Sequence, residues 1–449
     1  MSTASPADLP VAAVTTLVAN PFPGLRPFEP SESHLFFGRD EQVDELLVRL
    51  QRLRFLAAVG TSGCGKSSLI LAGLLPALHR GCLPSSGSRW RIARSRPGDA
   101  PIRNLALSLA APEALGALLP PEQVNDLEAT LRRTSLGLVQ AVLAARLPPS
   151  HNLLVVVDQF EEIFSFKRLF DKTEGEEPAA FLKLLLAAVQ QSEVPISIVL
   201  TMRSDFLGDC AQFPNLPEAL NDAQYLVPRL TRDQRQECIE GPVAVGGASI
   251  TPRLVQRLLN DVGDDPDHLP VLQHALMRTW EASRADREHG EPVDMRHYEK
   301  VGGMAKALDR HAEEAYHELG PEDLAIAPKV FQCLAERGPG GRETRRPQRL
   351  AALAEVAGVA PPRVRAVVEP FLSRGPFLTI RGEDLVVDIS HESFIRLWKR
   401  LGDWVRDEAR AARTYRRLVE RAGLWATAPD VSKFEGLELK DALKWEREC

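Results

Sequence analysis

The octapeptide GTSGCGKS, Gly60 to Ser67, follows the apolar run RFLAAV and precedes a helical stretch. No other feature of the 449 residues restricts the fold so tightly. Gly60, Gly63 and Gly65 let the backbone turn back on itself, so that successive N–H groups face inward and form a concavity suited to phosphate oxygens. The helix that starts there adds the positive end of its dipole. Lys66 can set one ammonium against the outer phosphates, and Ser67 offers a hydroxyl to Mg²⁺. The residues expected around the phosphates are therefore Gly60, Thr61, Ser62, Gly63, Cys64, Gly65, Lys66, Ser67 and Ser68.

Three apolar runs, RFLAAVG, NLLVVVDQF and PISIVLTMR, alternate with helical stretches. Unbroken apolar runs mark strands covered on both faces, which predicts an α/β fold: a P-loop NTPase parallel sheet with helices on both faces. A helix is predicted over Asp40 to Leu53, with Val43, Leu46, Leu47 and Leu50 on one stripe. Ahead of it, the proline-rich NPFPGLRPFEPSESHLFFGRD should wrap an existing surface in extended form.

At 449 residues the chain exceeds one core, and about three domains are expected. Beyond Tyr225 helical periodicity replaces the strands, which predicts a helical lobe. From Pro321, several helices followed by PFLTIRGEDLVVDIS, with two short strands around a Gly-Glu turn, predict a winged-helix domain. The expected division is a flexible leader over 1–20, an NTPase domain over 21–225, a helical lid over 226–320, a winged helix over 321–405 and a C-terminal helical arm over 406–449.

Asp158 ends the run LLVVVD, where a carboxylate leaving a buried strand can reach a Mg²⁺ ion held by Ser67. Glu161 and Glu162 follow within one turn, and hydrolysis needs such an acid to orient or deprotonate water. Glu161 is the preferred candidate; two acids opening a helix can also simply complement its dipole. Arg203, with Asp205 beside it, leaves the third apolar run at the same sheet edge, where ligands bind in open α/β folds. It can sense a γ-phosphate there, or form an ordinary ion pair.

Taken in order, PFPGLRPFEPSESHLFFGRD, the phosphate loop, LLVVVDQFEEIF, VLTMRSDF, LPVLQHALMRTW and DISHESFIRLWKRL resemble the STAND branch of signalling NTPases, in particular the novel STAND type 1 family. The resemblance spans Asn20 to Trp445. It implies that Gly38 and Arg39 lie on the adenine side of a bound ATP or ADP, and that Arg203 is the sensor arginine. It further implies that Pro270 closes over the base, and that His391 contacts the β-phosphate in a resting, ADP-bound state. Position alone would make His391 a cap or a satisfied surface group. One departure stands out: NB-ARC-type relatives carry an acid directly after the Walker B aspartate, where this chain has Gln159. NACHT-type relatives place acids three and four residues on, as Glu161 and Glu162 do here, and slow hydrolysis is the expectation. Members of the family usually continue into a sensor repeat array after the helical arm. The expected activity is a switch in which ATP exchange permits self-association, with trigger and effector proteins that the sequence does not name.

A net charge of −6 supplies no overall attraction to nucleic acid or acidic membranes. In the Arg-rich loop GRETRRPQRL, Gly341 to Leu350, Arg342, Arg345, Arg346 and Arg349 nevertheless form a local basic cluster beside the expected winged helix. A DNA-binding transcription regulator modulated by ATP is therefore the alternative. The six cysteines include no CxxC pair, which argues against a zinc site or disulfide framework and fits a reducing cytoplasm. No run approaches the length of a membrane span, and no membrane partner is expected.

Overall fold

Five strands form the central sheet in the computed structural model: β1 Phe55–Gly60, β2 Arg89–Ser95, β3 His151–Val157, β4 Ile196–Arg203 and β5 Gln224–Leu226. Their order is β2-β3-β4-β1-β5, and all neighbours are parallel. The described residues are 20–82, 89–116, 119–148, 150–164, 176–263, 268–286, 291–337, 343–382 and 385–427, together with 436, 438–440 and 442–443. All of the expected leader but Asn20, and much of the expected arm beyond 427, lie outside them, as do Gly341 and Arg342 of the basic cluster.

Side chains alternate across a strand, so one apolar run must supply two cores. Phe55, Ala57 and Val59 enter the core on one face, while Leu56 and Ala58 enter the other. Helix Asp40–Leu53 covers the second face with Val43, Leu46, Leu47 and Leu50, the stripe its sequence predicts. The register sets Gly60 opposite Arg203 and Ser95 opposite Val157. The residues leaving β1, β2, β3 and β4 therefore gather at one carboxyl edge.

Strands β2 and β5 are additions to the three expected. The sequence RWRIARS is amphipathic because β2 sits at the sheet edge, so it lacks the unbroken apolar run of a central strand. Strand β5 has only three residues.

The helical lobe runs through Arg232–Val245, Pro252–Val262, His268–Asp286, Met295–Val301 and Gly303–Tyr316. It packs around Trp280, Leu258 and Leu272. Thr231 and Thr251 accept backbone N–H groups at the starts of the first two helices, which fixes where those helices begin.

The C-terminal lobe holds helices Pro321–Cys333, Leu350–Ala357 and Pro361–Ser373, then strands β9 Leu378–Arg381 and β10 Val386–Ile389. Helix Glu392–Leu397 and the long helix Lys399–Thr427 follow, the latter running straight through the expected boundary at 405/406. Its core is aromatic, built on Phe331, Phe371, Phe377, Phe394 and Trp398. The basic cluster, expected as a loop, instead contributes strands: β6 Ala335–Arg337 pairs with β7 Glu343–Arg345, and β8 Gln348–Arg349 adds to β10.

The proline-rich segment does wrap the surface, and it joins all parts of the molecule. Phe22 enters the helical-lobe core and Leu25 the C-terminal core, while the Phe28 N–H donates to Ser68 Oγ at 3.2 Å. Pro30–Leu35 turns into a short 3₁₀ helix, the exception to its extended course.

Candidate functional site

The carboxyl edge of the sheet faces a cavity of about 200 Å³. Its walls come from the phosphate loop, the proline-rich segment, the helical lobe and the C-terminal lobe. Of the residues singled out in the sequence, Arg39, Ser62, Gly63, Cys64, Gly65, Lys66, Ser67, Ser68, Glu161, Arg203, Pro270 and His391 line it. Gly38, Gly60, Thr61, Asp158 and Glu162 are not among its lining residues.

Gly63 and Gly65 take left-handed backbone angles, φ +74° and +92°, which L side chains rarely adopt. Lys66 folds along the loop, its Nζ donating to the carbonyls of Thr61 at 2.7 Å and Gly60 at 3.1 Å. Gly38 serves packing instead of lining: at φ +74°, a Cβ there would stand 2.5 Å from the Gln234 carbonyl oxygen. Arg39 is buried and ties the loop to the start of the helical lobe, donating to Cys64 O at 3.0 Å and Pro228 O at 2.8 Å.

Asp158 is the centre of a polar cluster. Its Oδ1 accepts from Ser67 Oγ at 2.6 Å and Thr201 Oγ1 at 2.7 Å, and Arg96 Nη2 lies 2.8 Å from its Oδ2. Burial opposes its charge, but Arg96 and the two hydroxyls prevail and bring the carboxyl down to about 2. It is therefore an anion at any physiological pH. The converging Ser67 hydroxyl and Asp158 carboxylate are the hard oxygen donors that Mg²⁺ takes beside phosphate. The donor set fits that ion.

The two glutamates diverge. Glu161 is buried at the cavity wall and accepts from the Arg203 N–H at 3.3 Å. Burial pushes its carboxyl up against the pull of Lys66. Glu162 turns away and accepts from the Gly98 N–H at 3.0 Å; burial raises it to about 7 despite Arg96.

Arg203 Nη1 donates to Glu392 Oε1 at 2.9 Å and its Nη2 to Asp205 Oδ2 at 2.7 Å, so the expected ion pair exists beside a second one. Ser62 Oγ donates to Glu392 Oε2 at 2.8 Å and lies 3.5 Å from His391 Nε2. His391 also caps its helix, its Nδ1 accepting the Ser393 N–H at 3.1 Å. Position alone suggested that cap, and the ring's other nitrogen still reaches the loop.

Three polar residues here went unrecognised in the sequence: Arg96, Thr201 and Glu392. Thr201 alone carried a visible signal, a polar residue within an apolar strand. Arg345, assigned to a basic surface cluster, points inward: it donates to Asp388 Oδ2 at 3.0 Å, Ile389 O at 3.1 Å and Glu392 Oε1 at 3.2 Å. The reason is electrostatic, since buried Asp388 and Glu392 need a counter-cation.

A parallel sheet ending in a glycine loop, with a lysine, a hydroxyl and a buried aspartate at one edge, is the arrangement of a P-loop NTPase. The profile of the novel STAND NTPase 1 family matches residues 21–432, and the chain belongs to that family. No curated protein matches it. Among solved structures it is similar to the ORC2 protein of Aeropyrum pernix in ADPNP-ADP complexes, at 14% identity over 83% of this chain and 94% of that one, with a TM-score of 0.46. It is also similar to Drosophila ORC bound to DNA, at 13% identity over 89% and 96%, with a TM-score of 0.41. Similarities this distant carry no functional information. Among the described residues, no helix is long and apolar enough to cross a membrane.

Proposed function

We propose that this chain is an ATP-binding signalling switch. ADP held between the phosphate loop and the C-terminal lobe keeps a closed resting state, and ATP opens it for self-association. Hydrolysis, slow by comparison with metabolic enzymes, returns it to rest. The single observation that carries this is a cavity walled at once by the phosphate loop, Pro270 of the helical lobe and His391 and Glu392 of the C-terminal lobe. A nucleotide there would touch every lobe, which is what lets its phosphate count bias their arrangement.

In this assignment residues 21–225 bind phosphate, 226–320 form a lid, 321–405 act as a winged-helix cover and 406–449 lead away as an arm. Lys66 and the loop N–H groups hold the phosphates, while Arg39 and Pro270 stand at the base end. Ser67 and Asp158 hold Mg²⁺, which when bound neutralises phosphate charge. Glu161 orients and deprotonates water, a role supported by its place on the cavity wall and its raised pKa; Glu162, engaged with Gly98, is the weaker candidate. Arg203 reads the γ-phosphate. The DNA-binding alternative loses support because Arg345 is turned inward and Arg349 is paired with Asp99.

The experiment is a titration of the chain and its Lys66→Ala variant with fluorescently labelled ADP. Loss of affinity by about tenfold or more is expected from removing a charged phosphate ligand. Equal affinity in the two proteins would make the site assignment wrong.

A further inference from the structure

Glu392 occupies an unusual place for an acid. It is 8% exposed, yet lines the same cavity as the phosphate loop. Its carboxylate spans three separate elements: Oε2 accepts from Ser62 Oγ of the loop, and Oε1 accepts from Arg203 Nη1 at the end of β4 and Arg345 Nε of β7. Two of these partners, the loop side chain and the β4 arginine, are groups that a triphosphate would meet. An anion with tetrahedrally spread oxygens and a carboxylate satisfy the same donors, because both offer short, charge-assisted acceptors.

We propose that Glu392 sets the nucleotide specificity of the site: its carboxylate takes the place of a terminal phosphate on Ser62 and Arg203, so that the C-terminal lobe closes over a nucleoside diphosphate and is displaced by a triphosphate. The proposal rests on the switch reading above and names the residue that makes it selective. A diphosphate stops short of Arg203 and leaves the Glu392 contacts in place. A third phosphate needs Arg203 and must take it from Glu392. Two anions then compete for one guanidinium in a buried site, where like charges repel far more strongly than in water. Arg203 cannot easily serve both, since its Nη2 is already engaged by Asp205. Glu392 sits in the first turn of helix Glu392–Leu397, whose Phe394 and Ile395 are buried in the C-terminal core, so expelling the carboxylate moves that lobe with it.

The test is a titration of the full chain, Glu392→Gln and Ser62→Ala with ADP and with a non-hydrolysable ATP analogue in Mg²⁺ buffer. The parent should favour ADP. Glu392→Gln keeps the side chain's shape but removes the competing charge. It should tighten the ATP analogue about tenfold while changing ADP less than about threefold. Ser62→Ala removes one of the three partners and should shift the ratio the same way by a smaller factor, which carries the test should Glu392→Gln not fold. An unchanged ratio in both variants, or equal losses for both nucleotides, overturns the specificity role and leaves the switch standing. A parent that binds neither nucleotide overturns both.

Discussion

Arg345 and Arg349 stand four residues apart in one basic stretch, and replacing each with alanine should have very different consequences. Arg345 is 14% exposed and bonds two acids, Asp388 and Glu392, whose side chains are 2% and 10% exposed. Removing one partner from a buried ion pair typically costs about 3–5 kcal/mol, because the remaining charge stays desolvated. Here each acid keeps a second arginine, Arg381 on Asp388 and Arg203 on Glu392, so the lower end, about 3 kcal/mol, is expected. Arg349 is 56% exposed, and its bridge to Asp99 at 2.6 Å is a surface pair of the kind that contributes about 0–1 kcal/mol. Urea unfolding followed by far-ultraviolet circular dichroism measures both. The midpoint of the first transition is the quantity to compare, because a chain of several lobes need not unfold in one step. Equal shifts for the two variants would refute the claim that burial decides which of these arginines stabilises the fold.

Glu161→Gln should lower ATP turnover by about a hundredfold or more, and Glu162→Gln by far less; steady-state phosphate release measures both, and the reverse ranking would exchange their roles. Gly38→Ala should destabilise the fold by about 2–3 kcal/mol through positive φ and the 2.5 Å approach to the Gln234 carbonyl, read as a fall in Tm against the parent. His274 and His311 form a buried pair, Nε2 to Nδ1 3.0 Å, held neutral by burial at about 3 and about 2. Their folded pKa values lie below the unfolded 6.5, so the stability they confer is complete above pH 6.5 and declines as the pH falls from there towards the folded values. The loss is up to about 1.4 kcal/mol per pH unit for each histidine. Stability measured from pH 7 to 5 should fall less steeply in the double variant His274→Gln/His311→Gln; an unchanged slope would exclude the pair as its source.

The parts legible in the sequence share a physical cause. Central strands are apolar throughout because both faces are covered, so β1, β3 and β4 announce themselves, and the phosphate loop is written in glycines whose backbone angles admit little else. Helix Asp40–Leu53 carries its buried face as a period. Edge strands have no such pressure: β2 mixes Arg89, Arg91 and Arg94 with Trp90 and Ile92, so Arg96 behind it was invisible as a partner of Asp158. Contacts between lobes are harder still. Glu392 reaches Ser62 across 330 residues, and no local pattern distinguishes an acid that pairs with another lobe from one that caps its own helix. Arg345 looked like surface charge for the same reason, since its counter-ions lie more than forty residues further along the chain.

Amide hydrogen exchange of the full chain, with and without saturating ADP, tests the central claim most directly. If the nucleotide is gripped by all lobes together, ADP should slow exchange at once in the loop Gly60–Ser68, in Leu269–Gln273 at the start of helix His268–Asp286 and in His391–Phe394 of the C-terminal lobe. At the lowest ADP concentration that protects the parent, Lys66→Ala should show all three effects weakened together. Protection confined to the phosphate loop, with the other two segments unchanged, would contradict a switch closed by its nucleotide.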